Sequence, residues 1–269
     1  MWAEVILMAV IQALTEFLPV SSSGHGVIIP AIVGWTDPML TGLNFAVALH
    51  LGTGLALLIA LWSDWMWLVR GSCGAGPDVV VARRLSTAII GSTLAIGVIA
   101  IPLRDWVSQF RDPITAAWLL IVFGFLLAIA DRFGGMQHGL RSTTLPVWLL
   151  IGISQIVALV PGVSRAGITM TVARSFGVIR PTAARFSFLL MAPAVAGAGV
   201  VQIFDVIQGN EPLGDVGLLL AGTLIATVVG VLVVRGLLAF LHRYSLAVFA
   251  AYRVVAGVVA LSILLATRA

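Results

Sequence analysis

Lysine is absent from this chain and charge of either sign is scarce: 15 arginines and 11 carboxylates leave only 10% of 269 residues charged. That scarcity excludes a water-soluble fold, because 60% of the residues are hydrophobic and the mean hydropathy is +1.12, against roughly 45–50% apolar in soluble domains. The formal net charge of +4 rests entirely on arginine, which stays protonated even beside a lipid headgroup. Such a balance suits a membrane surface and membrane lipids as partners. No aromatic-interleaved basic stripe accompanies it, so no nucleic acid is expected. Cysteine is nearly missing too. The single Cys73 excludes an internal disulfide and, in the glycine-rich stretch 71–77, reads as an incidental loop thiol. A cleavable signal is also lacking, since the first apolar stretch is interrupted by Gln12, Glu16 and a serine cluster; residues 1–30 are expected to be mature structure.

What is abundant is long apolar sequence. Phe45–Trp62, Ala88–Pro102, Thr115–Ala130, Phe186–Val201, Val216–Val234 and Leu246–Ala266 are long enough, or nearly so, to cross ~30 Å of hydrocarbon as helices. Arginines gather between alternate spans: Arg70, Arg83 and Arg84, then Arg132 and Arg141, then Arg174 and Arg180, then Arg235 and Arg243. These loops are expected to face the cytoplasm. The intervening loops, with Arg104, Asp105, Arg111 and Asp112, and with Asp205, Glu211 and Asp215, should face outward. Threading six spans through these loops requires residues 5–30 and 145–177 each to enter and leave on one side, as re-entrant hairpins. Pro161, Gly162, Ser164, Arg165 and Gly167 argue for a break in the second, tolerable at membrane depth only where protein or a watery cavity surrounds it.

A repeat points the same way. At an offset of 143 residues Gln12 meets Gln155, Val20 meets Val163, Ser21 meets Ser164, Gly24 meets Gly167 and Phe45 meets Phe188, while Pro19 and Pro161 miss by one. The alternative is coincidence in low-complexity apolar sequence. Each half holds one hairpin and three spans, an odd number, so the halves are inverted. The expected fold is a single all-α membrane domain over 1–269, with six transmembrane helices and two re-entrant helix hairpins in two inverted-topology repeats, about 1–135 and 145–269. Such repeats place a binding site between their interrupted helices.

The first hairpin carries Gln12 and Glu16 four residues apart, on one helical face, able to converge on one ligand or metal. After Pro19, Ser21, Ser22, Ser23 and Gly24 offer hydroxyls and free amides where a new helix would aim its N-terminus at an anion. His25 is near enough to Ser22 in sequence to activate or orient it. In the second hairpin Arg165 is a cation in apolar surroundings, with a fork suited to phosphate oxygens, and Gly162 and Gly167 let backbone approach a ligand. Blander readings stand beside these: Glu16 and Arg165 as a structural ion pair, the serines as helix-packing residues. Asn44 and His50 are polar enough to line a cavity, whereas His138 and His242 are expected to be solvated.

Glu16 through His25, Pro161-Gly162-Val163-Ser164-Arg165 with Thr169, and Phe186 through Leu190 with Pro193 together resemble the undecaprenyl-diphosphatase family associated with bacitracin resistance. The resemblance covers nearly the whole chain. It implies the same six-span fold with two re-entrant pairs, a homodimer, residence in the bacterial cytoplasmic membrane with a site open to the outer face, and dependence on a divalent cation, Mg2+ or Ca2+. By position it implies that Gln12, Glu16, Ser21, Ser22 and His25 form one motif and Ser164, Arg165 and Thr169 the other. Gln12 stands where many members carry a second Glu, Ala166 replaces a common serine, and His50 a common Gln.

The expected activity is removal of the terminal phosphate from a polyprenyl diphosphate. Arg165, Ser164, Thr169, Gly162 and the amides from Ser21 to Gly24, Ser23 included, would hold the diphosphate, with the cation near Glu16. Ser22 would attack phosphorus with help from His25 or Glu16, or water would attack directly. A transporter or flippase of the monophosphate lipid is the rival reading, because interrupted inverted repeats also build transporters.

Overall fold

The computed structural model describes residues 1–37, 40, 42–76, 78–207 and 214–267; Glu211, and Pro77 at the end of the stretch 71–77, lie outside the described residues. Every named element is helical. Apolar chain in lipid must close its backbone hydrogen bonds internally, and a helix does so within one segment. In order the elements are α1 (Trp2–Phe17), α2 (Ser22–Val33), α3 (Leu43–Ala60), α4 (Trp62–Ser72), α5 (Val79–Ser108), α6 (Pro113–Phe133), α7 (Leu145–Ile153) with a 3-10 segment Ser154–Leu159, α8 (Arg165–Ser175), α9 (Arg180–Ile207), α10 (Val216–Leu241) and α11 (Ala247–Ala266).

Residues Val79–Leu103 of α5, together with α6, α10 and α11, make four helices long and apolar enough to cross a membrane, and the pair α3 and α4, bent by 71°, adds a fifth if taken as one span. The chain is a multi-pass membrane protein. Residues 5–30 and 145–177 are each broken into two short helices. Two features differ from the sequence reading. The stretch after Trp62 is helical, because Leu68 and Gly71 pack inward and a Cβ at Gly71 would collide with that of Ala82 on α5. Most of the arginines assigned to loops sit in helices instead, among them Arg70 in α4, Arg83, Arg84 and Arg104 in α5, Arg132 in α6, Arg174 in α8, Arg180 in α9 and Arg235 in α10.

Packing follows the logic of lipid rather than water. On α10 Leu220, Leu224, Val228 and Leu232 form an exposed stripe, while Gly222, Ala226 and Gly230 face inward. Apolar side chains gain little by leaving lipid tails for one another, so small residues that let backbones approach, and hydrogen bonds across helices, carry the association. A Cβ on Gly230 would come within 2.7 Å of the Ala56 Cβ. Thr223 and Thr227 donate to the Ala48 and Gly52 carbonyls of α3, at 3.0 Å each.

At one end of the bundle a buried carboxylate ties four helices. Asp131 of α6 accepts at Oδ1 from Arg174 Nε (3.0 Å) and Arg180 Nε (2.8 Å), and at Oδ2 from the Leu246 amide (3.0 Å). Arg174 is fully buried, and its remaining donors reach the carbonyls of Gly134, Gly135 and Val178. Thus Arg174, counted from sequence as a loop cation, is an internal brace. Asp131→Ala strands that buried guanidinium and should cost ~3–5 kcal/mol. Arg141→Ala, which removes an ion pair with Asp78 whose arginine is 76% exposed, should cost ~1 kcal/mol or less. Denaturation of the two variants in detergent reads the difference; equal midpoints would contradict the bracing role.

Candidate functional site

The chain leaves and re-enters helix in the same way in both halves. Ser21 (φ 80°) and Ser164 (φ 74°) adopt positive φ without being glycine, a conformation costing ~1–3 kcal/mol that persists only where surroundings enforce it. Each caps the helix that follows. Ser21 Oγ accepts from the Gly24 amide at 3.2 Å, and Ser164 Oγ from the Gly167 amide at 3.0 Å. The two caps are 143 residues apart, the offset of the sequence repeat.

The two breaks touch. A Cβ on Gly24 would lie 3.1 Å from Gly162 Cα, and Gly162, at φ 99°, could take no Cβ without striking the Ala116 carbonyl oxygen at 2.5 Å. Between them lies Arg253 of α11, wholly buried. Its Nη1 donates to the Pro19 carbonyl (3.1 Å), and its Nη2 to the carbonyls of Gly162 (2.8 Å) and Val163 (3.0 Å). Carbonyls freed from helix by both breaks therefore share one guanidinium. Gly167 has no side chain because a Cβ there would meet Arg253 Nη1 at 2.6 Å.

Beside the breaks Glu16, only 6% exposed, gathers a polar cluster. Its Oε2 accepts from Ser22 Oγ at 2.5 Å and from Gln12 Nε2 at 3.0 Å, with His50 Nε2 3.6 Å away. His50 is held by a hydrogen bond of its own, Nδ1 donating to the Ala46 carbonyl at 2.7 Å, and its Nε2 stands 3.4 Å from Gln12 Nε2. Arg165 opens α8 at the position that the offset pairs with Ser22 on α2. No direct ion pair joins it to Glu16 among the described residues, and its buried Nη1 has no hydrogen-bond acceptor. A guanidinium donor without an acceptor, at a helix N-terminus, is an arrangement that an anionic oxygen would complete.

Other expected members are turned elsewhere. His25 does not meet Ser22: its Nδ1 donates to the Ser21 carbonyl (2.8 Å), and its Nε2 accepts from the Tyr252 hydroxyl (2.8 Å), with the two rings stacked at 5.7 Å. Three residues separate Ser22 from His25 in sequence, but the strained turn at Ser21 draws the imidazole back to its carbonyl. The Thr169 hydroxyl is fully buried, bonded to the Arg165 carbonyl (2.8 Å) and Ser187 Oγ (2.7 Å), so it links α8 to α9. The Ser21 and Ser164 hydroxyls serve as caps, and Ser23 is exposed with its Oγ 3.4 Å from that of Ser21. Ala166 is buried in the apolar core.

Arg253 and Tyr252 were missed by sequence reading, although an arginine amid an otherwise apolar span is itself a signal. Gln155, the repeat partner of Gln12, is buried with neither amide atom bonded. On the far side of His25 a cavity of about 380 Å³ opens between α1, α2 and α11, walled by Leu14, Leu18, Ile29, Phe249 and Tyr252. For a metal, no group of three His, Cys, Asp or Glu gathers among the described residues. One carboxylate with an amide and a hydroxyl fits a hard cation shared with phosphate oxygens rather than a dedicated protein cage.

Comparison with known proteins finds relatives over nearly the whole length. The family described as Bacitracin resistance protein BacA matches residues 5–259. An undecaprenyl-diphosphatase of Desulforudis audaxviator is 42% identical over 264 residues, covering 97% of this chain and 97% of that protein. Those of Geobacter sulfurreducens and Thermomicrobium roseum are 40% and 38% identical over 272 residues, each covering 97% of this chain and 97% and 96% of their own.

The contact between the breaks is open to direct test. Gly162→Ala adds a Cβ at positive φ against the Ala116 carbonyl and should lower stability by ~2–3 kcal/mol. Gly26→Ala, where nothing lies within 4 Å, should change it by less than ~1 kcal/mol. Thermal unfolding in detergent compares them; a Gly162→Ala protein as stable as the parent would mean that the breaks do not pack as described.

Proposed function

The chain belongs to the Bacitracin resistance protein BacA family, and from that premise we propose that it hydrolyses undecaprenyl diphosphate to undecaprenyl phosphate and inorganic phosphate. The observation that carries the reading is the Ser22 hydroxyl on Glu16 beside an Arg165 donor with no acceptor. A lipid transporter needs the anion clamp; it has no use for a hydroxyl bonded to a buried carboxylate.

In the proposed reaction Arg165 and the amides at the starts of α2 and α8 hold the diphosphate, as positioning and charge neutralisation dominate phosphoryl transfer. Ser22 gives its proton to Glu16 while its oxygen bonds to the terminal phosphorus, and the bond from that phosphorus to the bridging oxygen breaks. Glu16 passes the proton to the departing lipid phosphate and takes another from an incoming water. That water cleaves the phosphoserine, releasing phosphate, and the proton returns to the Ser22 oxygen. Gln12 and His50 fix the carboxylate. His25 keeps the turn at Ser21 in shape and, with Tyr252, bounds the groove of Leu14, Leu18 and Phe249, which takes the first prenyl units. A divalent cation, Mg2+ or Ca2+, held by Glu16 and Gln12 with the diphosphate, would neutralise charge on the transferred group.

The membrane layout belongs to the same proposal. α3 with α4, α5, α6, α9, α10 and α11 are six spans of one membrane domain, and the two broken segments are re-entrant, in inverted halves; the matched caps at Ser21 and Ser164 support this. The arginine-rich ends face the cytoplasm, the site opens to the outer face of the bacterial inner membrane, and the unit is a homodimer.

Phosphate release from undecaprenyl diphosphate by purified protein in detergent tests the chemistry. Ser22→Ala and Glu16→Gln should each lose at least ~1000-fold in turnover, as removal of a nucleophile or its base does, whereas His25→Ala should lose less. Near-normal release by Ser22→Ala would leave direct attack by water as the mechanism. Arg165→Lys keeps the charge without the fork and should lose at least ~10-fold, the equivalent of one charge-assisted contact; unchanged turnover would remove Arg165 from the site.

A further inference from the structure

The 71° bend after Ala60 turns α4 away from the axis of α3, and α4 presents two faces. Leu68 and Gly71 are buried against the bundle. Trp62, Ser63, Met66, Trp67 and Arg70, spaced as one helical face, line a groove of about 380 Å³ together with Ala75 and Gly76. Trp62 is 63% exposed at its edge. Arg70 is exposed, and among the described residues its side chain makes no hydrogen bond or ion pair.

The charges around it are already engaged. Asp64 pairs with Arg185 at 3.3 Å, Asp78 pairs with Arg141, Arg83 donates to the Ser72 carbonyl at 3.3 Å and Arg84 to the Thr143 carbonyl at 2.8 Å. Among the described residues Arg70 is thus the only charge in the groove lining, with no carboxylate there to oppose it. A two-faced helix rich in tryptophan and carrying arginine is the form of a segment lying in the headgroup layer, and a guanidinium there matches phosphate oxygens.

We infer that this groove binds the headgroup of an anionic phospholipid, with Arg70 and Ser63 on the phosphate and Trp62, Met66 and Trp67 against the glycerol and first acyl carbons. Trp62 and Met66 beside the cation select a lipid over a free anion, which would leave the exposed Trp62 ring and the thioether in water. The assignment uses none of the residues around Glu16 and does not depend on the diphosphatase reaction.

A photoactivatable phosphatidylglycerol in nanodiscs of phosphatidylcholine tests it, with the crosslinked peptide identified by mass spectrometry. Label should fall within residues 62–76, be suppressed by unlabelled phosphatidylglycerol, and drop by about tenfold in Arg70→Ala, the loss expected for one charge-assisted contact. Arg235→Ala, an exposed arginine on α10, should label like the parent. The Arg70 side chain has no hydrogen bond or ion pair among the described residues and lies outside the Glu16 cluster, so Arg70→Ala should also release phosphate like the parent, which verifies that it is folded. Equal suppression by phosphatidylcholine, suppression by inorganic phosphate alone, or full labelling of Arg70→Ala would each overturn the assignment.

Discussion

A helix interrupted inside an apolar bundle leaves carbonyls that no water can reach, and this fold interrupts two helices at the same place. The guanidinium of Arg253 meets the need from both sides, reaching Pro19 in one break and Gly162 and Val163 in the other. An unsatisfied backbone group in hydrocarbon costs several kcal/mol, so neither break is tolerable without the arginine, and the arginine is tolerable only because the breaks supply acceptors. Much else follows from that exchange. Gly167 is glycine because Arg253 passes it, and Gly24 and Gly162 are glycine because the breaks abut.

The two halves share a backbone plan and divide the chemistry. Both start a short helix from a serine cap in a strained turn, but the first helical residue is Ser22 in one half and Arg165 in the other. The same position thus holds a hydroxyl on one side and a cation on the other. The position of Glu16 corresponds to Leu159, so one half bears the carboxylate and the other the cation. Gln12 orients Glu16, while its counterpart Gln155 is buried with an unbonded amide.

Hydropathy made the helical membrane character legible, and the 143-residue offset made the paired breaks legible, because both are properties of sequence order. Glu16 with Gln12 could be read from helical spacing alone. The contacts that sequence reading misjudged depend on where a side chain turns after a break. His25 lies three residues from Ser22 yet bonds to Ser21 and Tyr252, since positive φ at Ser21 changes the direction of the chain. Thr169 stands in a motif of phosphate-binding type, but helical geometry sends its hydroxyl to Arg165 and Ser187. Arg253 was hidden within a span judged by its average hydropathy, and its partners are up to 234 residues away.

That last separation sets an order of events during synthesis. Pro19 and the serines leave the ribosome first, Gly162 and Arg165 later, and Arg253 later still. Until α11 has joined the bundle, both breaks hold carbonyls with no donor from Arg253, although Glu16, Ser22 and Arg165 are already made. A nascent chain therefore carries the side chains of the cluster without the packed breaks beside them, and that packing is complete only when α11 inserts.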